Sequence, residues 1–225
     1  SSVLPFRVNQ YVIDELIDWA NVPADPIFQL TFPQRGMLAP EHYARIAALL
    51  RAEAPKDELE RAIDAVRHAL NPHPADQMQM NMPRDEHGNR LDGMQHKYRE
   101  TVLFFPSQGQ TCHSYCTFCF RWAQFVGDKE LRSASSEASA LHDYLRQHTE
   151  VTDLLVTGGD PMVMKSRHLR DYLEPLLQPA FDHIQTIRIG SKALTFWPHR
   201  FLGAEDADDL IRLLTQLVEA GKHVA

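Results

Sequence analysis

All three cysteines of the chain fall in one stretch, TCHSYCTFCFRW, from Thr111 to Trp122. Cys112, Cys116 and Cys119 are spaced Cys-x3-Cys-x2-Cys. Thiolates are soft donors suited to zinc, copper(I) and iron–sulfur clusters. A four-iron cluster usually takes one cysteine per iron, so three cysteines leave one iron with an open coordination position. Open positions mark reactive metal sites, whereas structural sites are closed. Two plainer readings stand beside this one. Cys116-x-x-Cys119 is half of a structural zinc site, although the second half is missing and His113 adjoins Cys112 too closely to share an ion easily. Alternatively the thiols bind no metal and form a redox pair, which leaves one cysteine unused.

Other residues could join such chemistry. Gly158-Gly159-Asp160, followed by Pro161, is turn chemistry on any fold, and beside a reactive loop it also offers close backbone approach and a carboxylate. Arg121 carries a planar fork suited to a carboxylate, or is a solvated loop arginine. Tyr98 reads equally well as a core tyrosine with a wet hydroxyl, and Arg188 as a strand-end arginine snorkelling to water. The three tryptophans and Met78, Met80 and Met82 read as packing or loop residues.

These side chains need elements to hold them. Tyr11 to Ala20 is a short apolar-rich segment expected to be helical. A second helix is predicted from Pro40, whose missing N–H costs nothing in a first turn, with Tyr43, Ile46, Ala47 and Leu50 on one face. A third is predicted from about Lys56 to Leu70, with Leu59, Ile63, Val66 and Leu70 on its buried side. Residues 71–93, rich in proline, glycine and polar residues, read as a long connection. The rhythm then changes. Thr101 to Ser107, Val151 to Gly158 and Thr186 to Ser191 read as buried strands, and His223 begins a fourth. Between them come helices: one from Ser135 or Ser136 with Leu141, Tyr144 and Leu145 inward, and one capped by Ser166 with Leu169, Tyr172, Leu173, Leu176 and Leu177 inward. A last helix opens with Glu205, Asp206, Asp208 and Asp209, whose charges suit its N-terminal dipole. Strand–helix alternation predicts an α/β fold with a parallel sheet covered on both faces. Because the sequence stops as the fourth strand opens, a longer parent protein is expected.

The 225 residues are 44% hydrophobic and 24% charged, with a net charge of -7. That is ordinary for a globular protein and lacks the basic footprint of a nucleic-acid binder. No apolar run approaches a membrane span, and the first residues lack a secretory pattern. A reducing, cytoplasmic setting is expected, with the thiols free for metal.

The cysteine spacing, with Phe118 before the third cysteine, resembles the signature of radical S-adenosylmethionine (SAM) enzymes. Leu154 to Asp160, Lys97-Tyr98, Asp25 to Gln29 with Pro33, and Arg188 to Ser191 with Pro198 and Arg200 resemble the lysine 2,3-aminomutase family in particular. The resemblance implies an N-terminal helical region and linker over 1–98. It then implies the first three to four βα units of a partial (βα)6 barrel over 99–225. It implies an isomerase, a PLP-dependent amino acid 2,3-aminomutase acting on a small-molecule amino acid. It implies that Cys112, Cys116 and Cys119 hold a [4Fe–4S] cluster whose fourth iron is chelated by SAM. It also implies that Gly158, Gly159 and Asp160 receive the SAM ammonium, that Lys97 and Tyr98 serve the phosphate of pyridoxal 5′-phosphate (PLP), that Arg188 and Ser191 serve cofactor, and that Arg121 meets the substrate carboxylate. An electron donor such as a flavodoxin or ferredoxin, and assembly as a homo-oligomer, fit the same picture. The chain departs from the family at Thr117 and Lys97, where arginines are usual, and after Arg121, where it reads Trp-Ala-Gln-Phe. None of Lys56, Lys97, Lys129, Lys165, Lys192 or Lys222 lies in the glycine-rich context of the family's Schiff-base lysine. A radical SAM enzyme without PLP, or a zinc-bound structural domain, therefore remains an alternative.

Overall fold

In the computed structural model, residues 2–70, 81–119, 121–122 and 134–225 are described. Met78, Met80, Lys129 and the 123–125 stretch after Trp122 lie outside them. The chain divides into two compact units, Ser1–Asp76 with Ser114–Leu131, and Gln77–His113 with Arg132–Ala225. The division falls inside the cysteine loop.

The first unit is helical. The segment expected as a helix near Tyr11 forms a π-turn, Val12–Leu16, and a 3-10 turn, Trp19–Asn21. Pro23 and Pro26 follow too closely for a longer helix to grow. Helix α1 is Pro26–Thr31. Asp25 caps it, accepting from the Phe28 N–H at 2.7 Å, with Pro26 in the first turn where no N–H is needed. Helix α2 is Pro40–Arg51 and α3 is Lys56–Leu70. Val3, Ile46, Ala62, Ile63 and Val66 form their core, with Leu38, Leu49, Leu59 and Leu70 packed around it. The face read for α3 is the buried one. On α2 the stripe is turned by one residue: Leu49 packs inward and Leu50 is exposed.

The second unit is α/β. Its strands are β1 Met94–Tyr98, β2 Thr101–Phe104, β3 Asp153–Val156, β4 Thr186–Ile189 and β5 His223–Val224. They form one sheet in the order β1-β2-β3-β4-β5, with β1 antiparallel to β2 and the rest parallel. Helices α4 (Ala138–Gln147), α5 (Ser166–Leu173), α6 (Ala193–Phe196), α7 (His199–Leu202) and α8 (Ala207–Glu219) connect the parallel strands. Strand β1 is an addition to the sequence reading. Its MQHKY offers one apolar residue before Tyr98, too little alternation to signal a strand. It is held by pairing, with the fully buried Met94 opposite Phe104.

Alternation along the strands is clean. Val102, Phe104, Leu154, Val156 and Ile187 are fully buried and join one core with Leu141, Leu145, Leu169, Leu173, Leu210, Leu213 and Leu217 of α4, α5 and α8. Thr101, Leu103, Asp153, Leu155, Thr186 and Arg188, on the other parity, are only half-buried. The second face is thus less covered than expected for a parallel sheet. Ser166 does not cap α5. It is the first helical residue, and its N–H donates instead to the Asp206 carboxylate. Among the described residues, no helix is long and apolar enough to cross a membrane.

Candidate functional site

The loops that leave the C-terminal ends of β2, β3 and β4 meet in the second unit. The first runs through the 3-10 turn Ser107–Gly109 to Thr111, Cys112 and His113. The second is Thr157 to Asp160, and the third Gly190 to Lys192. Two backbone bonds lay the second loop on the first: Gly159 N–H to Gly109 O at 2.9 Å and Asp160 N–H to Thr111 O at 2.8 Å. This contact explains the paired glycines. A Cβ on Gly158 would sit 2.5 Å from Gly109 O, and one on Gly159 would sit 2.2 Å from Thr111 O. The backbone that needs the missing side chains is the protein's own.

Asp160 closes the arrangement. Its side chain is 2% exposed. Oδ1 accepts from the Met162 N–H at 2.9 Å and the Ser191 hydroxyl at 2.7 Å. Oδ2 accepts from His113 Nε2 and from the Lys192 N–H, each at 3.1 Å. Burial alone would push this carboxyl up. The hydrogen bonds from His113 and Ser191, the charge of His113 and the Met162 N–H outweigh it and hold the carboxyl below its ordinary value. His113 is itself buried, with its ring 5.5 Å from that of Trp197. Behind the turn, the buried Arg200 donates to Met162 O at 2.8 Å and Met164 O at 3.1 Å, and pairs with Asp206 at 2.9 Å. Cys112 is a buried thiol outside any disulfide, and its Sγ, a His113 nitrogen and an Asp160 oxygen lie within 4.8 Å of one another.

In the first unit, Cys116 and Cys119 are partly buried and in no disulfide. They share one turn, closed by the Cys119 N–H to Cys116 O at 3.1 Å. Thr117 fastens that turn to the end of α1: its N–H donates to Leu30 O at 2.7 Å and its hydroxyl to Gln29 O at 2.9 Å. These carbonyls are among those a helix end leaves without intrahelical partners. The Tyr115 N–H donates to Arg7 O at 2.8 Å. Phe118 is 76% exposed. Burial pulls the Arg121 guanidinium down to about 10, and the neighbouring Cys119 charge works the other way. Three reduced thiols, two of them on one turn, are a donor set that fits a soft-metal cluster.

The structure therefore brings Cys112, Gly158, Gly159, Asp160 and Ser191 into one network. It does not bring Lys97, Tyr98 or Arg188 there. Tyr98 stands opposite Thr101, at the starting end of the parallel strands, and is 62% exposed, with the Lys97 ammonium 5.5 Å from its ring centre. Arg188 forks onto Asp153, with Nε 2.9 Å from Oδ1 and a terminal nitrogen on Oδ2, while Thr101 donates to the same carboxylate. Lys222 is buried and donates to Phe181 O and Ile184 O, each at 2.8 Å. The sequence reading missed His113 and Arg200 as network members. The one available signal was a histidine beside a metal-type cysteine, and its partner lies 47 residues away.

No protein-family model matches the chain. A protein of Aquifex aeolicus, provisionally named an L-lysine 2,3-aminomutase, is 34% identical over 113 residues, which is 50% of this chain and 29% of that protein. The L-lysine 2,3-aminomutase of Methanococcus maripaludis is 29% identical over 122 residues, covering 54% and 26%. The glutamate 2,3-aminomutase of Clostridioides difficile is 32% identical over 91 residues, covering 40% and 20%. The aligned stretches take in less than a third of each of these relatives.

Proposed function

We propose, from the premise that this chain is a lysine 2,3-aminomutase-like relative within the radical SAM superfamily, that it forms the cluster-binding part of an amino acid aminomutase. Cys112, Cys116 and Cys119 would hold a [4Fe–4S] cluster with one iron left for SAM. When bound, this pair would supply one-electron chemistry, able to take a hydrogen atom from an unactivated carbon. The chain's own residues bind, orient and exclude water. The turn at Gly158 and Gly159 borders the cluster loop and keeps it close to β3. Arg121, partly desolvated and still charged at neutral pH, takes a substrate carboxylate through its planar fork. Thr117 leaves the loop without the positive charge usual in lysine-specific relatives, so this reading names no particular amino acid. In this reading the βα units continue into a partial barrel with the chemistry at the strand C-termini. The electron comes from a flavodoxin or ferredoxin in a reducing, cytoplasmic setting.

PLP enters through the resemblance, at Lys97, Tyr98 and Arg188. The position of Lys97 and Tyr98 at the starting end of the strands, and the Arg188–Asp153 pair, favour a second reading: a radical SAM enzyme without PLP, acting on another substrate. The observation that carries the main reading is the set of three thiols outside any disulfide, spaced Cys-x3-Cys-x2-Cys, whose first member is seated by the Gly-Gly-Asp turn.

The test is anaerobic cluster reconstitution of the full-length protein, followed by SAM, reductant and a panel of amino acids with and without PLP. Iron and sulfide near four each per chain, 5′-deoxyadenosine and a β-amino acid are expected, and Cys116→Ala abolishes both products. Bound zinc without sulfide overturns the reading, and product formed equally without PLP selects the second one.

A further inference from the structure

A carboxylate offers two oxygens and about four lone-pair sites. Asp160 has four donors on them, two to each oxygen. The donors come from all three loops: His113 after β2, Met162 after β3, Ser191 and Lys192 after β4. The acceptor capacity is filled within the protein, and the group is buried. A ligand ammonium would have to displace one of these donors and leave it stranded in a dry site, which is costly.

We infer that Asp160 is a positioning residue: its carboxylate bolts the three loops together and, through His113, sets the place of Cys112. The inference rests on the reading of Cys112 as a cluster ligand, and it assigns His113 to the same duty. His113 sits directly after Cys112, so the direction of its side chain constrains the backbone that aims the thiol. The Gly159 and Asp160 N–H bonds to Gly109 O and Thr111 O fix the other side of that cysteine. Arg200 backs the whole by holding the carbonyls of Met162 and Met164.

The experiment compares the full-length wild type with Asp160→Asn, His113→Leu, His113→Gln and Ser191→Ala. Amide hydrogen exchange of metal-free protein is followed over 105–113, 157–164 and 189–194. Reconstituted protein is then challenged with EDTA for iron retention and tested for SAM binding by equilibrium dialysis. His113→Leu and Asp160→Asn should both speed exchange in all three segments by about tenfold to a hundredfold, the size expected for losing a buried hydrogen bond to a charged group. Both should also release iron sooner. His113→Gln should restore both readouts, because its Nε2 lies where the imidazole Nε2 lies, and Ser191→Ala should give a smaller shift of the same kind. If His113→Leu exchanges and retains iron like wild type while Asp160→Asn loses only SAM binding, the carboxylate serves a ligand and the inference fails. If the wild type takes up no iron–sulfur cluster, the proposed function falls, and the exchange result still decides whether Asp160 joins the loops.

Discussion

Residues 109–113 and residues 114–122 belong to one loop, yet different chemistry fastens them. The first stretch is tied into the α/β unit by backbone bonds to the Gly-Gly-Asp turn and by a buried carboxylate with four donors. The second is tied into the helical unit by Thr117 on the last carbonyls of α1 and by Tyr115 on Arg7. One fastening is dry and charge-assisted. The other hangs a hydroxyl at the surface on a helix end that water could also satisfy. The seat of the first cysteine should therefore be stiff and sensitive to substitution, and that of the other two forgiving.

The largest effect should come from Arg200→Met. It removes two donors from the carbonyls behind Asp160 and leaves the Asp206 carboxylate with the Ser166 N–H but no cation, and truncating one partner of such a pair costs about 3 kcal/mol. Denaturant unfolding of the full-length protein measures it. Gly159→Ala comes next. Its methyl would meet the Thr111 backbone, which cannot swing aside as a side-chain tip can, and a cost of about 1–3 kcal/mol is expected. Gly36→Ala, in the helical unit with nothing within 4 Å of its Cβ position, is the control and should change stability by less than about 0.5 kcal/mol.

Acid sharpens the same contrast. Burial raises the Asp206 carboxyl, but the Ser166 N–H and the charge of Arg200 more than offset this and leave it below the usual aspartate range. Its contribution is therefore full above the unfolded value of about 3.9 and is lost as pH falls below that, through the folded value. Melting temperatures between pH 5 and pH 2 should drop more steeply in wild type than in Asp206→Asn. The smallest effect belongs to Thr117→Val, which removes the hydroxyl bond and keeps the backbone one. A loss of about 0.5–1 kcal/mol is expected, with Thr117→Ser near wild type. A larger loss for Thr117→Val than for Gly159→Ala would reverse the comparison.

Legibility in the sequence followed the range of the interactions. The cysteine spacing, the four parallel strands and the α3 face are local patterns, and they could be read directly. The start of α1 at Asp25 and Pro26 is equally local, yet the sequence reading did not pick it out. The edge strand β1 escaped because pairing with β2, more than its own residues, makes it a strand. Ser166 looked like a cap because serine often is one, yet Asp206, 40 residues on, does that work. Arg188 read by itself as a strand-end arginine reaching for water, with a cofactor role implied only by the resemblance, and Asp153, from the neighbouring strand, claims it. Asp160 was picked out for its charge. That the charge is turned inward depends on His113 and Ser191, and no spacing rule links residues 113, 160 and 191.

One carboxylate shared by three loops has a consequence for descent. Positions 113, 160 and 191 should behave as a single inherited character, and a lineage that replaces the aspartate is expected to change the histidine and the serine in step. Grafting any one of these loops from a cousin into this chain should then fail unless all three travel together.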